Sequence, residues 1–199
     1  MDFYEAAIGR RSIRRFKDIA VPYKALERCV NAGRLAPSAM NNQPLEYIIV
    51  DDKQLTHGVN DTIQGWGGVR RTPGDPMLDN PPKAGIAILI DKNLEQELGS
   101  NRRQSTLDAG LAAENIMLVA MEQGLGSCAV LSYKESILRQ ILNIPENHDI
   151  ALLLVLGYPD EIPVTEPFAD TTTRWIDDQG VRHIPKRELA EILHRNKHR

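Results

Sequence analysis

The chain has 199 residues, of which 42% are hydrophobic and 26% charged, and its formal net charge at pH 7 is −3. That length and apolar content suffice for one domain with its own core, and they argue against disorder over most of the chain. A slightly acidic chain is not expected to coat nucleic acid, and its longest apolar run (150–158) is far shorter than the ~20 residues that cross a bilayer, so we expect a cytoplasmic protein without a membrane segment.

Apolar periodicity and turn-forming residues predict a series of alternating elements along the chain. The predicted helices lie at 2–9, from Pro22 onward, and at 53–64, 105–123, 134–142 and 185–194; the predicted strands lie at 45–50, 84–91, 127–132 and 150–157. The alternation lacks βαβ regularity. We therefore expect an α+β fold with about four strands surrounded by about six helices.

We expect one domain over 1–199, with two irregular stretches inside it. Residues 36–44 form a polar loop by composition, and the glycine- and proline-rich residues 65–82 predict a flap. The final segment, 160–199, has no obvious core of its own. It is expected to pack on another chain.

The segment GLGSCA at 124–129 matches the glycine pattern of dinucleotide-binding loops. That pattern binds a pyrophosphate only when a strand precedes it and a helix starts inside it. Here a predicted helix ends at Gly124 and a strand follows, so Gly124 is expected to be a C-cap glycine.

No metal site or hydrolytic site is predicted. Cys29 and Cys128 are far apart and form no zinc motif, and His194 and His198, although four residues apart, lie in a basic tail without an acidic partner between them. No nucleophile elbow is present. A set of candidate site residues without an obvious acid, base or nucleophile is typical of proteins in which a cofactor supplies the reactivity.

Two polar stretches remain to be explained. The segment GRRSIRRF at 9–16 is either a solvated basic turn or an oxyanion site, because arginine forks match phosphate and Ser12 adds a hydroxyl. In the loop at 36–44, Ser38, Asn41 and Gln43 are either ordinary turn residues or hydrogen-bonding groups for a heterocycle.

Together these stretches resemble one known family. The motifs are RRSIRRF, PSAMNNQPLEYIIV, LDAGLAAENIMLVAMEQGLGSCAVLSY, ALLLVLGYP and PKRELAEILHRN, in that order. They resemble the nitroreductase family of FMN flavoproteins. The resemblance implies a four- to five-stranded, mostly antiparallel sheet surrounded by helices, in an intertwined homodimer with two FMN sites at the subunit interface.

The resemblance also implies which residues bind FMN. Arg10, Ser12 and Arg14 match positions that hold the phosphate and the pyrimidine side of the ring, and Arg11 lies between them; a cation at Arg14 would raise the reduction potential. Three further groups of contacts are implied. A loop from the other subunit contributes Pro37, Ser38, Ala39, Asn41 and Gln43. A turn beside the flavin N5 contributes Leu131 and Ser132, and a C-terminal basic pair contributes Lys186 and Arg187.

The implied activity is ping-pong transfer of electrons from NADH or NADPH to nitroaromatics, quinones or similar small acceptors, with Trp66 and Arg70 of the flap as substrate contacts. Leu45 stands where the family often has an aromatic residue and Asn42 where a basic one is frequent, which leaves the substrate open. Two alternatives stay open: a specialised branch of the same fold, such as a reductive dehalogenase or a flavin-destroying enzyme, and a non-catalytic flavin- or nucleotide-binding module.

Overall fold

The computed structural model describes residues 2–66, 69–70, 80–168 and 170–198, with only the backbone of 66, 69 and 70. The chain divides into two compact units, Met1–Asp160 and Glu161–Arg199. None of the described helices is long and apolar enough to cross a membrane. The flap prediction falls largely outside the described residues, because 67–68 and 71–79 are not among them.

The first unit contains six of the described helices, a 3-10 turn and six strands. They are, in chain order within each class, α1 (Phe3–Gly9), α2 (Tyr23–Gly33), α3 (Lys53–Thr62), α4 (Lys92–Glu97), α5 (Arg102–Glu122), α6 (Glu135–Ile141), the 3-10 turn Ala39–Asn41, β1 (Leu45–Val50), β2 (Gly65–Trp66), β3 (Val69–Arg70), β4 (Ala84–Asp91), β5 (Gly126–Val130) and β6 (His148–Gly157).

The central sheet has the strand order β1-β4-β6-β5, and every neighbouring pair is antiparallel. Side chains alternate between its two faces, as the two-residue period of a strand requires. In β4, Ile86 and Ile88 pack against α2 and α5, whereas Ala87 and Leu89 pack against α3 and α6. This arrangement confirms the predicted α+β fold with an antiparallel sheet between helices.

The longest helix, α5, has well-formed ends. Asn101 and Gln104 make a reciprocal capping box at its start. At its end Gly124 has φ +77°, and the N–H groups of Gly124 and Leu125 donate to the carbonyls of Met121 and Ala120, each at 2.9 Å. This is a Schellman motif, and it confirms Gly124 as a helix-terminating glycine instead of part of a dinucleotide loop.

The helix α5 differs from expectation in one respect. Residues 111–121 are apolar on nearly all sides and predict burial there, yet Leu111 is 49% exposed, and Leu107, four residues before it, is 61% exposed. The opposite side is buried, because small residues such as Ala109, Ala112 and Ala113 allow close packing on α2 and the sheet. The helix therefore presents an apolar stripe outward from this unit.

The second unit is a small three-stranded sheet of order β7-β9-β8, made of β7 (Val164–Pro167), β8 (Trp175–Ile176) and β9 (Arg182–Lys186), followed by α7 (Leu189–Ile192). The predicted helix at 185–194 is therefore wrong over its first turn. Pro185 disfavours helical geometry at Ile184, and pairing with β7 and β8 satisfies the backbone of 182–186.

The contact between the arginine-rich segment and β5 depends on a missing side chain. A Cβ atom built on Gly126 would lie 2.7 Å from Cγ1 of Ile13, inside any real contact distance. We expect Gly126→Ala to lower the free energy of unfolding by about 1–3 kcal/mol, because Ile13 cannot withdraw without leaving the core. Urea denaturation measures this change.

The matched control is Gly58→Ala in α3, where the new Cβ would meet Ile141 Cδ1 at an ordinary 3.4 Å. That variant should be neutral or more stable by roughly 0.5–1 kcal/mol, since alanine favours helix. Equal destabilisation by both variants would contradict the close approach of Ile13 to β5.

Candidate functional site

The arginine-rich segment lies along the edge of the sheet. Ser12 forms a parallel bridge with Ser127 of β5, and the N–H of Ile13 donates to the carbonyl of Ser127 at 2.9 Å. The side chain of Ile13 enters the core. In an extended segment the neighbours Ser12 and Arg14 then lie on the other face, so one backbone pairing fixes both polar candidates.

The guanidinium groups of this segment are crowded. Arg10 Nε donates to Glu114 of α5 at 3.0 Å, and Arg11 Nη1 donates to the carbonyls of Ile8 and Arg10, each at 2.7 Å. Burial and the charge of Arg10 hold the pKa of Arg11 below its ordinary value. Arg14 is only 6% exposed, and its Nη1 donates to the carbonyl of Ser12 at 3.3 Å.

Arg15 is the arginine of this segment for which no ligand-binding role is predicted. Its backbone carbonyl accepts from the N–H of Asp160 at 2.9 Å, and its guanidinium lies 3.9 Å from the carboxylate of the same residue. Asn80 Nδ2 also donates to that carboxylate at 2.9 Å. Arg15 therefore anchors the end of the segment to the chain after β6.

The polar loop carries three non-glycine residues with positive φ: Met40 at 52°, Asn41 at 58° and Gln43 at 50°. Such conformations persist only where surrounding contacts impose them, and they concentrate at functional sites. Here Ser38 Oγ accepts from the N–H of Gln43 at 3.1 Å, and Asp108 Oδ1 on α5 accepts from the N–H of Ala39 at 3.1 Å.

A small cavity of about 120 Å³ lies beneath this loop. Asp108 lines it and is 4% exposed, and among the described residues its second oxygen, Oδ2, has no hydrogen-bond partner. The other lining residues include Pro37, Ser38, Gln43 and Tyr47. Burial raises the pKa of Tyr47 to about 12, so its phenol stays protonated at neutral pH.

The turn after β5 lies at the same sheet edge as the arginine-rich segment. Leu131 is 75% exposed, and the carbonyl of Ser132 accepts from the N–H of Gln64 at 2.9 Å. The isolated bridge between Ile63 and Tyr133 fixes the turn to the end of α3. Leu131 and Ser132 are therefore held in place while Leu131 faces outward.

The loop and the arginine-rich segment contact different sides of α5. Arg10 reaches α5 at Glu114 and Ala39 reaches it at Asp108. Asp108 and Glu114 are six residues apart on the helix, so they are separated by a rise of about 9 Å along the axis and by about 120° around it. The structure thus brings Arg10, Ser12, Arg14 and the 131–132 turn to one edge, and places Pro37, Ser38, Ala39, Asn41 and Gln43 elsewhere on the same unit.

The remaining predicted residues lie in other parts of the chain. Lys186 ends β9, and Arg187 lies 3.7 Å from Glu191 in the second unit. Trp66 and Arg70 belong to β2 and β3, which pair with each other; the predicted substrate-binding role of their side chains lies outside the described atoms.

Sequence reasoning missed Asp108 and Glu114, which hold the two halves of the candidate site. Both are acidic residues inside a helix with an otherwise apolar buried face, and that isolation was the available signal. Their partners, a backbone N–H and a guanidinium, are far away in the sequence.

The second unit contains a histidine held on three sides. Nδ1 of His183 lies 2.7 Å from Glu166 and Nε2 lies 3.2 Å from Asp177, while its ring stacks on Trp175 with centroids 3.8 Å apart. The bond to Glu166 is the main cause that raises the pKa of His183, with Asp177 acting in the same direction. The ring of His183 therefore links β9 to Glu166 of β7 and to Asp177, which follows β8.

Comparison with known proteins shows the family. The nitroreductase family model matches residues 7–158. A relative from Archaeoglobus fulgidus, provisionally named NADH dehydrogenase/NAD(P)H nitroreductase, is 33% identical over 76% of this chain and 82% of its own. The iodotyrosine deiodinase of Thermotoga neapolitana is 25% identical over 86% and 96%. The structure of an FMN-dependent nitroreductase from Clostridium difficile R20291 is 27% identical, with TM-score 0.66 over 96% of this chain and 99% of its own.

The fold defines an α+β protein with its helices on both faces of an antiparallel sheet, and the matched region contains all four strands of that sheet. The chain belongs to the nitroreductase family. The resemblance carried by the motifs is confirmed, whereas the roles of individual site residues stay predictions.

We predict that Asp108 stabilises the strained loop. Asp108→Ala leaves the Ala39 N–H without its acceptor, and it should lower the free energy of unfolding by about 1–3 kcal/mol. Asp108→Asn keeps an oxygen at that position and should cost less. Urea denaturation of both variants measures the difference; an asparagine variant as unstable as the alanine variant would contradict a role for this hydrogen bond.

We predict that the order of β9 depends on pH. Because the folded-state pKa of His183 is raised, its stabilising contribution is complete below the unfolded value of about 6.5 and is lost as pH rises through the folded value. NMR titration of the His183 ring should give a midpoint above 6.5, and proteolysis within 161–198 should accelerate above that midpoint. His183→Gln should abolish the pH step; a midpoint at or below 6.5 would contradict the prediction.

Proposed function

We propose that this protein is an FMN-dependent oxidoreductase that takes electrons from NADH or NADPH and reduces small electron-poor acceptors such as nitroaromatics and quinones. The observation that carries the proposal is the crowded arginine-rich segment on the edge of β5, within a chain of the nitroreductase family.

The segment fits a phosphate-bearing ligand. The pKa of Arg11 is lowered by partial burial and by the neighbouring charge of Arg10. Both effects disfavour the charged guanidinium, and a bound anion would offset both of them. Arg10 is already oriented by Glu114, which removes some of the entropy cost of binding. Ser12, fixed by its bridge to Ser127, adds a hydroxyl next to these cations.

The loop fits the polar edge of a heterocycle. Its positive φ angles at Asn41 and Gln43 are maintained by Ser38 and Asp108, so side-chain amides are presented by a rigid backbone. Pro37 and Ala39 flank these groups. Together they supply donors and acceptors without titrating near neutral pH.

FMN, when bound, would accept electrons from the nicotinamide donor in one half-reaction and pass them to the acceptor in the next. The protein's residues would bind, orient and shield it. Buried Arg14 would stabilise negative charge on the reduced ring, and the turn at Leu131 and Ser132 would position the ring edge. Lys186 and Arg187 are proposed to add charge at the phosphate, and Trp66 and Arg70 to contact the acceptor.

Side-chain nucleophiles do not compete with this chemistry among the described residues. Burial raises the pKa of the Cys29 thiol to about 11, so it is neutral at pH 7, and Cys128 is also buried. A cofactor-centred reaction needs neither thiol.

We further propose that a second copy of the chain completes each site. Within one chain the loop and the arginine-rich segment lie on different sides of α5, so they do not enclose a common ligand. Apolar side chains on α1 and α5 are exposed in the single chain, which suits burial between copies: Phe3, Tyr4, Ile8, Leu107 and Leu111. The segment 161–199 is proposed to pack on the partner.

A second candidate function is reductive dehalogenation within the same fold. It is favoured by the 25% identity to the Thermotoga neapolitana iodotyrosine deiodinase over most of both chains. The discriminating assay supplies an iodinated phenol and a nitroaromatic to the reduced protein. Iodide release without nitro reduction would favour the second candidate.

The test of the first proposal uses purified protein. We expect a yellow preparation with flavin absorbance at about 450 nm and oxidation of NADH or NADPH only when a nitroaromatic or quinone is added. The acceptor should be reducible after the donor has been consumed and removed, as two separate half-reactions require. Protein that is colourless and takes up no added FMN would overturn the proposal.

The site assignment is tested with Arg14→Gln. Loss of a charge-assisted bond should weaken FMN binding by roughly 10- to 100-fold, corresponding to about 1.5–3 kcal/mol. The control is Arg28→Gln, an exposed arginine that pairs with Glu122 on the far part of α5. Equal FMN affinity in the two variants, with both folded by circular dichroism, would contradict the role of Arg14.

A further inference from the structure

Three metal-ligating side chains converge at one end of the central sheet, away from the arginine-rich segment. Glu46 is on β1, Asp91 ends β4 and His148 begins β6. One ligand atom of each lies within 4.8 Å of the others. Asp91 pairs directly with His148 across the sheet, and Glu46 pairs with Leu89, two residues before Asp91, so all three lie on the same face.

The surroundings of His148 suit a metal-binding histidine. His148 is 7% exposed, and its Nδ1 lies 3.1 Å from Asn147 Oδ1. Nε2 faces the carboxylate of Glu46. It is buried without a hydrogen bond of acceptable geometry, although Glu46 Oε2 lies 3.1 Å away. An oxygen within hydrogen-bond distance of one ring nitrogen, with the other nitrogen facing carboxylates, is typical of metal-binding histidines.

The carboxylates of this cluster lack a cation. Among the described residues no lysine or arginine pairs with Glu46 or Asp91. The basic residues nearby are engaged by a different carboxylate, because Lys92, Arg102 and Arg139 all pair with Asp149. The imidazole and the two carboxylates therefore face one another, and neither carboxylate has a lysine or arginine partner among the described residues.

We propose that Glu46, Asp91 and His148 bind a divalent transition-metal cation of the zinc type. One imidazole nitrogen and two carboxylate oxygens suit such a cation, with a further position open to water, whereas calcium and magnesium prefer oxygen ligands alone. Asp91 can cap α4 through Oδ1, which accepts from Asn93 at 2.8 Å, and still offer Oδ2. The exposed Glu46 carboxylate leaves the site accessible.

The bound cation would stabilise the base of the polar loop. The N–H of Asp91 donates to the carbonyl of Pro44 at 2.9 Å, and Pro44 directly follows Gln43, the last strained residue of that loop. Glu46 lies two residues further on in β1. A cation that holds Glu46 to Asp91 and His148 therefore fixes the residues on which the loop ends.

The experiment measures binding of ZnCl2 to chelator-treated, dialysed full-length protein by isothermal titration calorimetry. His194 and His198, whose rings lie 4.2 Å apart in the tail, are first replaced by asparagine to remove a competing site. In that background we expect one zinc per chain with micromolar or tighter affinity. MgCl2 at the same concentration should give no binding.

Two conservative variants then test the ligands. Glu46→Gln and Asp91→Asn should each weaken zinc binding at least 10-fold; the asparagine still caps α4, so a fold defect is not expected. The control is His57→Asn, which removes another histidine–carboxylate pair, with Asp61, and should change nothing. Circular dichroism and urea denaturation show that each variant is folded.

Two outcomes would overturn the proposal. One is the absence of zinc binding at micromolar concentration in the tail-substituted protein. The other is zinc binding that is unchanged in both Glu46→Gln and Asp91→Asn. The result is independent of flavin binding, since calorimetry reports the cation directly.

Discussion

The arrangement of the whole candidate site depends on the pairing of the arginine-rich segment with β5. That strand is the edge of the sheet, and its free side pairs with Ser12 and Ile13, while Phe16 bridges Pro159 after β6. Gly126 of β5 and Gly157 of β6 leave room for the side chains of Ile13 and Phe16. The apolar side chains enter the core, and the alternation of an extended backbone then directs Ser12 and Arg14 away from it. Burial of two hydrocarbon side chains thus holds a group of cations that would otherwise repel one another.

The helix α5 contacts both groups of predicted ligand-binding residues. It packs against the sheet through small residues and against α2. Two of its acidic residues accept hydrogen bonds from other segments: Glu114 from Arg10, and the buried Asp108 from Ala39 of the strained loop. Because these residues lie on different sides of the helix, the two groups of ligand candidates are held apart within one chain. This separation is the physical basis for proposing that two copies form each complete site.

Much of the architecture could be predicted from the sequence, since it depends on local patterns. The strand at 84–91 was recognisable from its continuous apolar run, and the end of α5 at Gly124 from its glycine followed by a strand. The C-terminal helix predicted at 185–194 has the wrong start, because residues 182–186 pair as a strand and local propensity does not report that pairing. The outward-facing leucines of α5 were missed for a related reason: composition shows that a helix is apolar, and only packing shows which side is covered.

The sequence by itself determined the chemical types in the candidate site and the family to which the chain belongs. Arginine, serine and amide side chains in ordered motifs were enough for that, because each motif is contiguous. Only the tertiary structure decided which groups meet. Asp108 lies beneath a loop about seventy residues earlier, and Glu46, Asp91 and His148 come from three strands whose adjacency is set by the sheet order. Contacts of this kind arise from strand pairing and helix packing over long sequence separations, and no local pattern encodes them.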